Sequence, residues 1–111
     1  MASDKNFVDF ILDQIDVVGV VTAKKMFGDY GVFVDGKIVA LICDNRLFIK
    51  PTPGGRSFIG DVVEAPAYPG AKSSFLIEDK FEDRDWLSQL INITVNELPA
   101  PKIKNKKVSP N

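Results

Sequence analysis

Histidine is absent from this sequence of 111 residues, and cysteine occurs once, as Cys43. Histidine is the commonest general base and metal ligand in proteins, so its absence excludes Ser-His-Asp and Cys-His catalytic pairs. A zinc site would have to be built from carboxylates and Cys43 alone, and a disulfide within the chain cannot form. We therefore predict a protein that is not an enzyme and that holds neither a metal nor a cofactor.

Long apolar runs are also missing. None approaches the roughly 20 residues that a membrane-spanning helix requires. Residues 1–6 lack the basic region and apolar core of a secretory signal. The net charge of −1 argues against a dedicated nucleic-acid coat, which needs clustered positive potential. These absences predict a cytoplasmic protein with no membrane partner.

The composition that is present is that of a globular domain. Apolar residues make up 45% of the chain and charged residues 26%. The length suits one domain. We predict a single α+β domain over residues 1–98, followed by a flexible tail rich in proline and lysine over residues 99–111.

Apolar side chains recur at helical spacing near both ends of the predicted domain. Residues 3–16 carry one apolar stripe, with steps of three and four. Residues 86–98 carry another, which Pro99 ends. Residues 56–63 fit a short helix after a proline- and glycine-rich loop at 51–55.

Two turn dipeptides organise the middle of the chain. Asp35-Gly36 separates two apolar runs, and Asp44-Asn45 repeats the arrangement. An Asp-Gly pair in that setting indicates a hairpin, because a type I′ turn needs positive φ at both central positions. The chain is therefore expected to form a three-stranded meander of residues 32–34, 37–42 and 46–50, with further short strands at 65–68 and 74–78.

The two-residue turns fix a register that divides the meander into two faces. One face has no charge and is the predicted core face: Gly31, Phe33, Ile38, Ala40, Ile42, Leu47 and Ile49. The second face holds Tyr30, Val32, Val34, Val39, Leu41, Cys43 and Phe48. It is more apolar than a solvated face of a sheet normally is. Either a second helix covers it, or part of it is a dimer or partner surface.

A contact surface is predicted where the second face meets the glycine-containing edge at residues 26–31. Tyr30 and Phe48 would be its anchors, because aromatic side chains supply much of the binding energy in small interfaces. The predicted contact residues are Met26, Phe27, Gly28, Tyr30, Gly31, Val32, Val39, Leu41 and Phe48. The expected partner is another protein or a second copy of the chain in a homodimer.

Two other hypotheses use basic side chains. Lys24 and Lys25, together with the basic tail, would make the chain a nucleic-acid-associated accessory protein. Arg56, Lys50 and Lys72 would form a clamp for an anionic small molecule if the chain were an enzyme after all. Neither group is interleaved with the aromatic or catalytic residues that would favour it over ordinary solvated side chains.

Three strings and a later turn carry a family resemblance. They are Lys25-Met26-Phe27-Gly28-Asp29-Tyr30-Gly31, Val34-Asp35-Gly36-Lys37, Leu47-Phe48-Ile49-Lys50 and Tyr68-Pro69-Gly70. With these strings, residues 3–98 resemble the N-terminal domain of the TfoX/Sxy family. The resemblance implies an α+β fold with an antiparallel sheet of about five strands, in the order α-β-β-β-α-β-β-α.

The resemblance also implies a class of function. Full-length members look like regulators of competence that act with the cyclic-AMP receptor protein at promoters, through protein contacts rather than chemistry. This chain departs from the family pattern at Asp29, where a second glycine is usual, and it shows no counterpart of the family's helical C-terminal domain. A stand-alone regulatory or protein-interaction module, linked to transcription regulation, is therefore what the resemblance implies.

Overall fold

The structure, a computed structural model, describes residues 4–17, 19–26 and 29–98. Within these ranges, three α-helices and six strands follow one another in the order α-β-β-β-β-α-β-β-α. The helices are α1 (Lys5–Gln14), α2 (Pro53–Ile59) and α3 (Arg84–Glu97). The strands are β1 (Val21–Met26), β2 (Asp29–Val34), β3 (Lys37–Cys43), β4 (Arg46–Ile49), β5 (Glu64–Pro66) and β6 (Ser73–Ile77). The predicted α+β class is confirmed.

The six strands form one antiparallel sheet in the order β1-β2-β3-β4-β6-β5. The predicted meander corresponds to β2, β3 and β4. The sheet has six strands, where about five were predicted, and the additional strand is β1. It pairs with β2 from Val21 opposite Val34 to Met26 opposite Asp29. The sequence pattern did not separate β1 from β2 because no Asp-Gly or Asn-Gly pair lies between them.

Both predicted hairpin turns have the backbone conformation that their sequences require. The φ angles are +50° at Asp35 and +85° at Gly36, and +54° at Asp44 and +58° at Asn45. Aspartate, asparagine and glycine are the residues that adopt this left-handed conformation at least cost. The turns thus confirm where the sequence predicts that the chain reverses.

A β-bulge in the pairing of β2 with β3 changes which side chains share a face. Phe33 pairs with Ile38, as predicted. The next pair joins Val32 to Ala40, so Val39 is an extra residue on β3. Because successive side chains of a strand point to opposite faces, a slip of one residue moves the neighbouring strand's side chains to the other face. The predicted assignment of β2 is therefore wrong.

The core lies between the helices and one face of the sheet. In β2 that face holds Val32 and Val34, which are fully buried, and not Gly31 and Phe33 as predicted. The sheet contributes Val32, Val34, Val39, Ala40, Ile42, Leu47, Ile49, Phe75 and Ile77, and the helices contribute Val8, Ile11, Leu87, Leu90 and Ile91. Packing of α2 on α3, of α3 on β3, and of α1 on α3 and β1 closes this layer.

The helix boundaries follow capping side chains. Asp4 caps α1 by accepting the N–H of Asn6 at 3.0 Å, so the helix begins after the predicted residue 3. Asp83 caps α3 by accepting the N–H of Trp86 at 3.1 Å, after a 3₁₀ turn at Lys80–Glu82. In the described part of the chain, no helix is long and apolar enough to cross a bilayer.

The second helix begins earlier than predicted. α2 begins at Pro53 because Thr52 accepts the N–H of Gly55 at 3.0 Å and proline suits the first helical position. Gly54 and Gly55, predicted to lie in a loop, form the first turn of this helix. The N–H of Gly54 donates to Glu97 Oε1 at 2.8 Å, which ties α2 to the end of α3.

Candidate functional site

The face of the sheet opposite the helices, called the open face below, carries a second and smaller apolar cluster. Its buried members are Cys43, Phe48 and Ala67, and Leu41, Ala65 and Leu76 pack against them. None of the helical residues described by the structure belongs to this cluster. The cluster is therefore formed by strand residues and by Ala67, which follows β5, and not by any of the described helices.

The β-bulge moves two predicted contact residues away from the open face and pairs a third, Tyr30, with the core residue Ile42, although Tyr30 also borders the cavity described below. Val32 and Val39 are fully buried in the core beneath the helices, and Tyr30 packs half-buried against the same core. The predicted placement of Val32 and Val39 on an accessible face is therefore wrong. Its cause is the register shift, which a pattern of alternating residues cannot reveal.

Three other predicted contact residues do share the open face. Gly31 pairs with Leu41, and Leu41 pairs with Phe48, so the three lie side by side across β2, β3 and β4. Phe48 is nevertheless fully buried, and only Leu41 is half-exposed. Met26, also half-buried, covers Gly31: a Cβ at Gly31 would lie 2.7 Å from Met26 Sδ. The predicted Phe27 and Gly28 lie outside the described residues.

Two exposed apolar side chains extend the open face beyond the predicted residues. Val63 is 52% exposed, and its carbonyl accepts the N–H of Leu76 at 2.8 Å, which places it beside Leu76. Tyr68 is 49% exposed and follows the buried Ala67. The short strand predicted at residues 65–68 and the Tyr-Pro-Gly turn at residues 68–70 were the sequence signals in this region.

A cavity of about 130 Å³ opens on this face. Its lining residues are Met26, Asp29, Tyr30, Ile38, Leu41, Cys43, Lys50 and Tyr68. Apolar and aromatic side chains therefore meet a carboxylate and an ammonium group in one hollow. Binding sites for small molecules commonly combine apolar walls with a few polar groups in this way.

Cys43 lines the cavity as a protonated thiol. Burial raises the pKa of the Cys43 thiol, and the carboxylates of Asp29 and Asp44 raise it further, while Arg46 acts in the opposite direction. A thiol with a raised pKa is a poor nucleophile near neutral pH, because the thiolate is the reactive form. This environment agrees with the predicted packing role of Cys43.

Basic side chains surround the apolar part of the open face. Lys24 Nζ lies 5.7 Å from the ring centroid of Phe33, and Arg46 Cζ lies 5.4 Å from that of Phe48. Lys50 borders the cavity. These cation–π contacts hold the two cations against the sheet, where they remain accessible to a binding partner.

The basic residues predicted to bind nucleic acid or an anionic small molecule do not come together in a common site. Lys24 and Lys25 are consecutive in β1 and therefore point to opposite faces of the sheet. Arg56 forms an ion pair with Glu64 and lies over the ring of Phe75, in a hollow separate from the cavity of Lys50. Among the residues that the structure describes, no group of three or more acidic or cysteine side chains could hold a metal ion.

Comparison with known proteins places this fold in a family. Residues 13–98 match the model of the TfoX N-terminal domain. An uncharacterized 12.7 kDa protein in the trpE 5′ region of Spirochaeta aurantia is 37% identical over 107 residues, which cover 96% of this chain and 93% of that protein. The predicted resemblance is thereby confirmed, and the chain belongs to the TfoX N-terminal domain family.

Proposed function

We propose that this chain is a cytoplasmic, non-enzymatic regulatory module that binds a protein partner through the open face. The observation that carries the proposal is the exposed apolar surface on the side of the sheet opposite the three described helices. Val63 and Tyr68 are about half exposed there, and Ile38, Leu41 and Leu76 are half-buried. A contiguous exposed apolar patch with a polar rim is typical of a protein-binding surface.

The charges around the patch favour a particular kind of partner. Around the patch, the cations of Lys24, Arg46 and Lys50 outnumber the carboxylates of Asp29 and Asp44, so the best complement is an apolar segment flanked by aspartate or glutamate. A symmetric homodimer through the same face would bring two basic rims together, which costs binding free energy. We therefore favour an acidic partner of different sequence over self-association.

Family membership supports the regulatory part of the proposal. The TfoX N-terminal domain belongs to a family of regulators, and a role in transcription would follow if the partner acts at promoters. The protonated Cys43 and the absence of histidine from the sequence offer no nucleophile–base pair for an enzyme. Binding is the activity that this surface supports best.

Direct binding of nucleic acid receives less support. Lys24 and Lys25 point to opposite faces, so β1 presents no doubled positive patch to phosphate groups. A DNA titration over a range of salt concentrations, with the chain and with a variant lacking residues 99–111, tests this alternative. A steep loss of affinity with salt that disappears on truncation would favour it over the protein-binding proposal.

Substitution of Tyr68 by alanine tests the protein-binding proposal. Tyr68→Ala removes the exposed aromatic anchor of the open face, whereas Phe10→Ala removes a similarly exposed aromatic (41%) from α1 on the other side of the sheet. The wild-type chain and both variants are used to capture proteins from the native cell, and captured proteins are quantified by mass spectrometry. Loss of an aromatic anchor typically weakens binding by about tenfold or more.

The expected result is a protein that the wild type and Phe10→Ala retain equally and that Tyr68→Ala loses. Purified, that protein should bind the wild-type chain at least about tenfold more tightly than it binds Tyr68→Ala. Thermal unfolding of each variant checks that the fold is intact. If a folded Tyr68→Ala variant retained the captured protein as well as the wild type does, the open face would be rejected as the binding surface. If light scattering gave a dimer mass for the wild type and a monomer mass for Tyr68→Ala, the partner would be a second copy of the chain and not an acidic protein.

A further inference from the structure

We propose that the cavity on the open face binds a small organic carboxylate with a compact apolar body. The carboxylate would pair with Lys50, and the apolar body would occupy the space between Leu41, Ile38 and Tyr68. This ligand site is separate from the proposed function, because the isolated chain can bind a small molecule whether or not a protein partner exists.

The size of the cavity sets the size of the apolar body. Its volume is about 130 Å³. A protein cavity of roughly 150 Å³ lined by apolar side chains is large enough to hold benzene. The cavity therefore accommodates about six carbon atoms, and a head group attached to such a body reaches the mouth of the hollow.

The walls favour an apolar body over a polar one. Met26, Ile38 and Leu41 are half-buried apolar residues, and Tyr68 adds an accessible aromatic ring. Cys43 adds a thiol that is protonated at neutral pH and carries no charge. Transfer of about six apolar carbons from water to such walls is favourable, because apolar surface is removed from solvent on both sides.

The polar groups at the cavity favour an anionic head group over a cationic one. The ammonium of Lys50 forms no ion pair or hydrogen bond with any residue in the described ranges. The carboxylate of Asp29 already accepts the N–H of Asp44 at 3.1 Å. A ligand carboxylate therefore gains a partner at Lys50, whereas a ligand ammonium would compete for a carboxylate that is already engaged.

Three probes of the same shape separate these contributions. Benzoate, benzyl alcohol and benzylamine share a six-carbon ring and differ in the charge of the head group. Each is titrated into the full chain, and binding is followed by the rate at which a thiol reagent labels Cys43, the only cysteine. If only the ligand-free chain reacts, a probe at ten times its dissociation constant slows labelling by about tenfold.

Benzoate is expected to bind about fivefold more tightly than benzyl alcohol, which corresponds to the upper end of the range measured for accessible ion pairs. Benzylamine is expected to bind most weakly. Equal affinities of benzoate and benzyl alcohol would overturn the role of Lys50, and tighter binding of benzylamine would assign the polar contact to Asp29 instead. No protection of Cys43 by any probe would overturn the site itself.

A lysine substitution with a matched control tests the same point without relying on one probe. Lys50→Met keeps the apolar stem of the side chain and removes its charge, so it should abolish the preference for benzoate and leave the affinity for benzyl alcohol unchanged. Lys5→Met removes an exposed lysine on α1, on the other side of the sheet, and should leave both affinities unchanged. An unchanged benzoate preference in Lys50→Met would overturn the proposal.

Protein capture and ligand binding can fail independently. If Tyr68→Ala lost the protein partner and benzoate did not protect Cys43 from labelling, only the protein-binding proposal would stand. If the isolated chain bound benzoate selectively and no captured protein depended on Tyr68, only the proposed ligand site would stand.

Discussion

Cys43 occupies a position at the end of β3 where burial and nearby carboxylates act on its thiol in the same direction. Both raise its pKa in the folded protein, so folding favours the neutral thiol. A group with a raised pKa contributes stability that is fully present below its unfolded pKa and is lost as the pH rises through its folded pKa. The unfolded value for cysteine is about 8.5.

Replacement of Cys43 by alanine makes this contribution measurable. The difference in the free energy of unfolding between the wild type and Cys43→Ala should be constant below about pH 7.5 and should shrink above about pH 8.5, where the unfolded thiol ionises. Urea unfolding at several pH values measures it, and other titrating groups cancel in the difference. A difference that does not change between neutral and alkaline pH would contradict the raised pKa.

Asp35 combines two functions in one turn. Its φ is +50°, and its carboxylate Oδ1 accepts the N–H of Val20 at 2.9 Å while its own N–H donates to the carbonyl of Val20. The side chain thus joins the β2–β3 turn to the segment before β1. Both the left-handed backbone and the hydrogen bond depend on the residue type at this position.

Substitution of Asp35 by alanine should lower the free energy of unfolding by about 1–3 kcal/mol, because alanine tolerates positive φ poorly and cannot accept the hydrogen bond. Asp35→Asn is the control, since asparagine keeps the acceptor oxygen and adopts positive φ readily. Urea unfolding of both variants distinguishes them. Equal losses in the two variants would show that charge, rather than backbone and hydrogen bond, is what the turn requires.

At the scale of elements, the C-terminal end of α1 is held against α3 by hydrogen bonds. The hydroxyl of Ser88 donates to the carbonyl of Gln14 at 3.1 Å and accepts the N–H of Asp16 at 2.8 Å. The amide of Gln14 donates to the carbonyls of Phe81 and Glu82 at 3.1 and 3.0 Å. The buried side chains of Gln14 and Ser88 therefore hold the C-terminal end of α1 against α3 and the 3₁₀ turn.

Removal of the Ser88 hydroxyl leaves two backbone groups without this partner. Ser88→Ala should lower the free energy of unfolding by about 1–3 kcal/mol, the range for an unsatisfied buried polar group. Ser57→Ala, on an exposed position of α2, should change stability by less than about 0.5 kcal/mol. A Ser88→Ala variant as stable as Ser57→Ala would mean that water replaces the hydroxyl.

The whole molecule is asymmetric about its sheet. Helices bury one face, whereas none of the helices in the described part of the chain packs on the apolar cluster of the other. Two valines, one on each side, show what this difference means for a charged substitution. Val32 is fully buried on the helical side, and Val63 is 52% exposed on the open face.

A lysine should be tolerated on the open face and not on the helical side. Val63→Lys should change the free energy of unfolding by no more than about 0.5 kcal/mol, because its ammonium remains in water. Val32→Lys should prevent folding, because an ammonium group would be buried without a partner. Circular dichroism and urea unfolding test both variants. A folded Val32→Lys would contradict the face assignment that the β-bulge produces.

The local elements of this protein follow from short stretches of its sequence. Apolar spacing predicted α1 and α3, and the aspartate-containing turns predicted the β2–β3 and β3–β4 hairpins, because these features depend on residues close together in the chain. The string around residues 25–31 also predicted the family. Alternation along the strands also placed Leu41 and Phe48 on one face, but it placed Gly31 on the other, and the bulged register brings the three together.

Which face is open, and which residues lie on it, depends instead on how the strands pair in the folded chain. The extra residue Val39 in β3 inverts the assignment of β2, and alternation along the sequence contains no sign of such an insertion. The cavity likewise joins Met26, Lys50 and Tyr68, which come from three separate parts of the chain. Local propensities act over a few residues, whereas strand register and cavities arise from contacts between distant segments that the final packing alone sets.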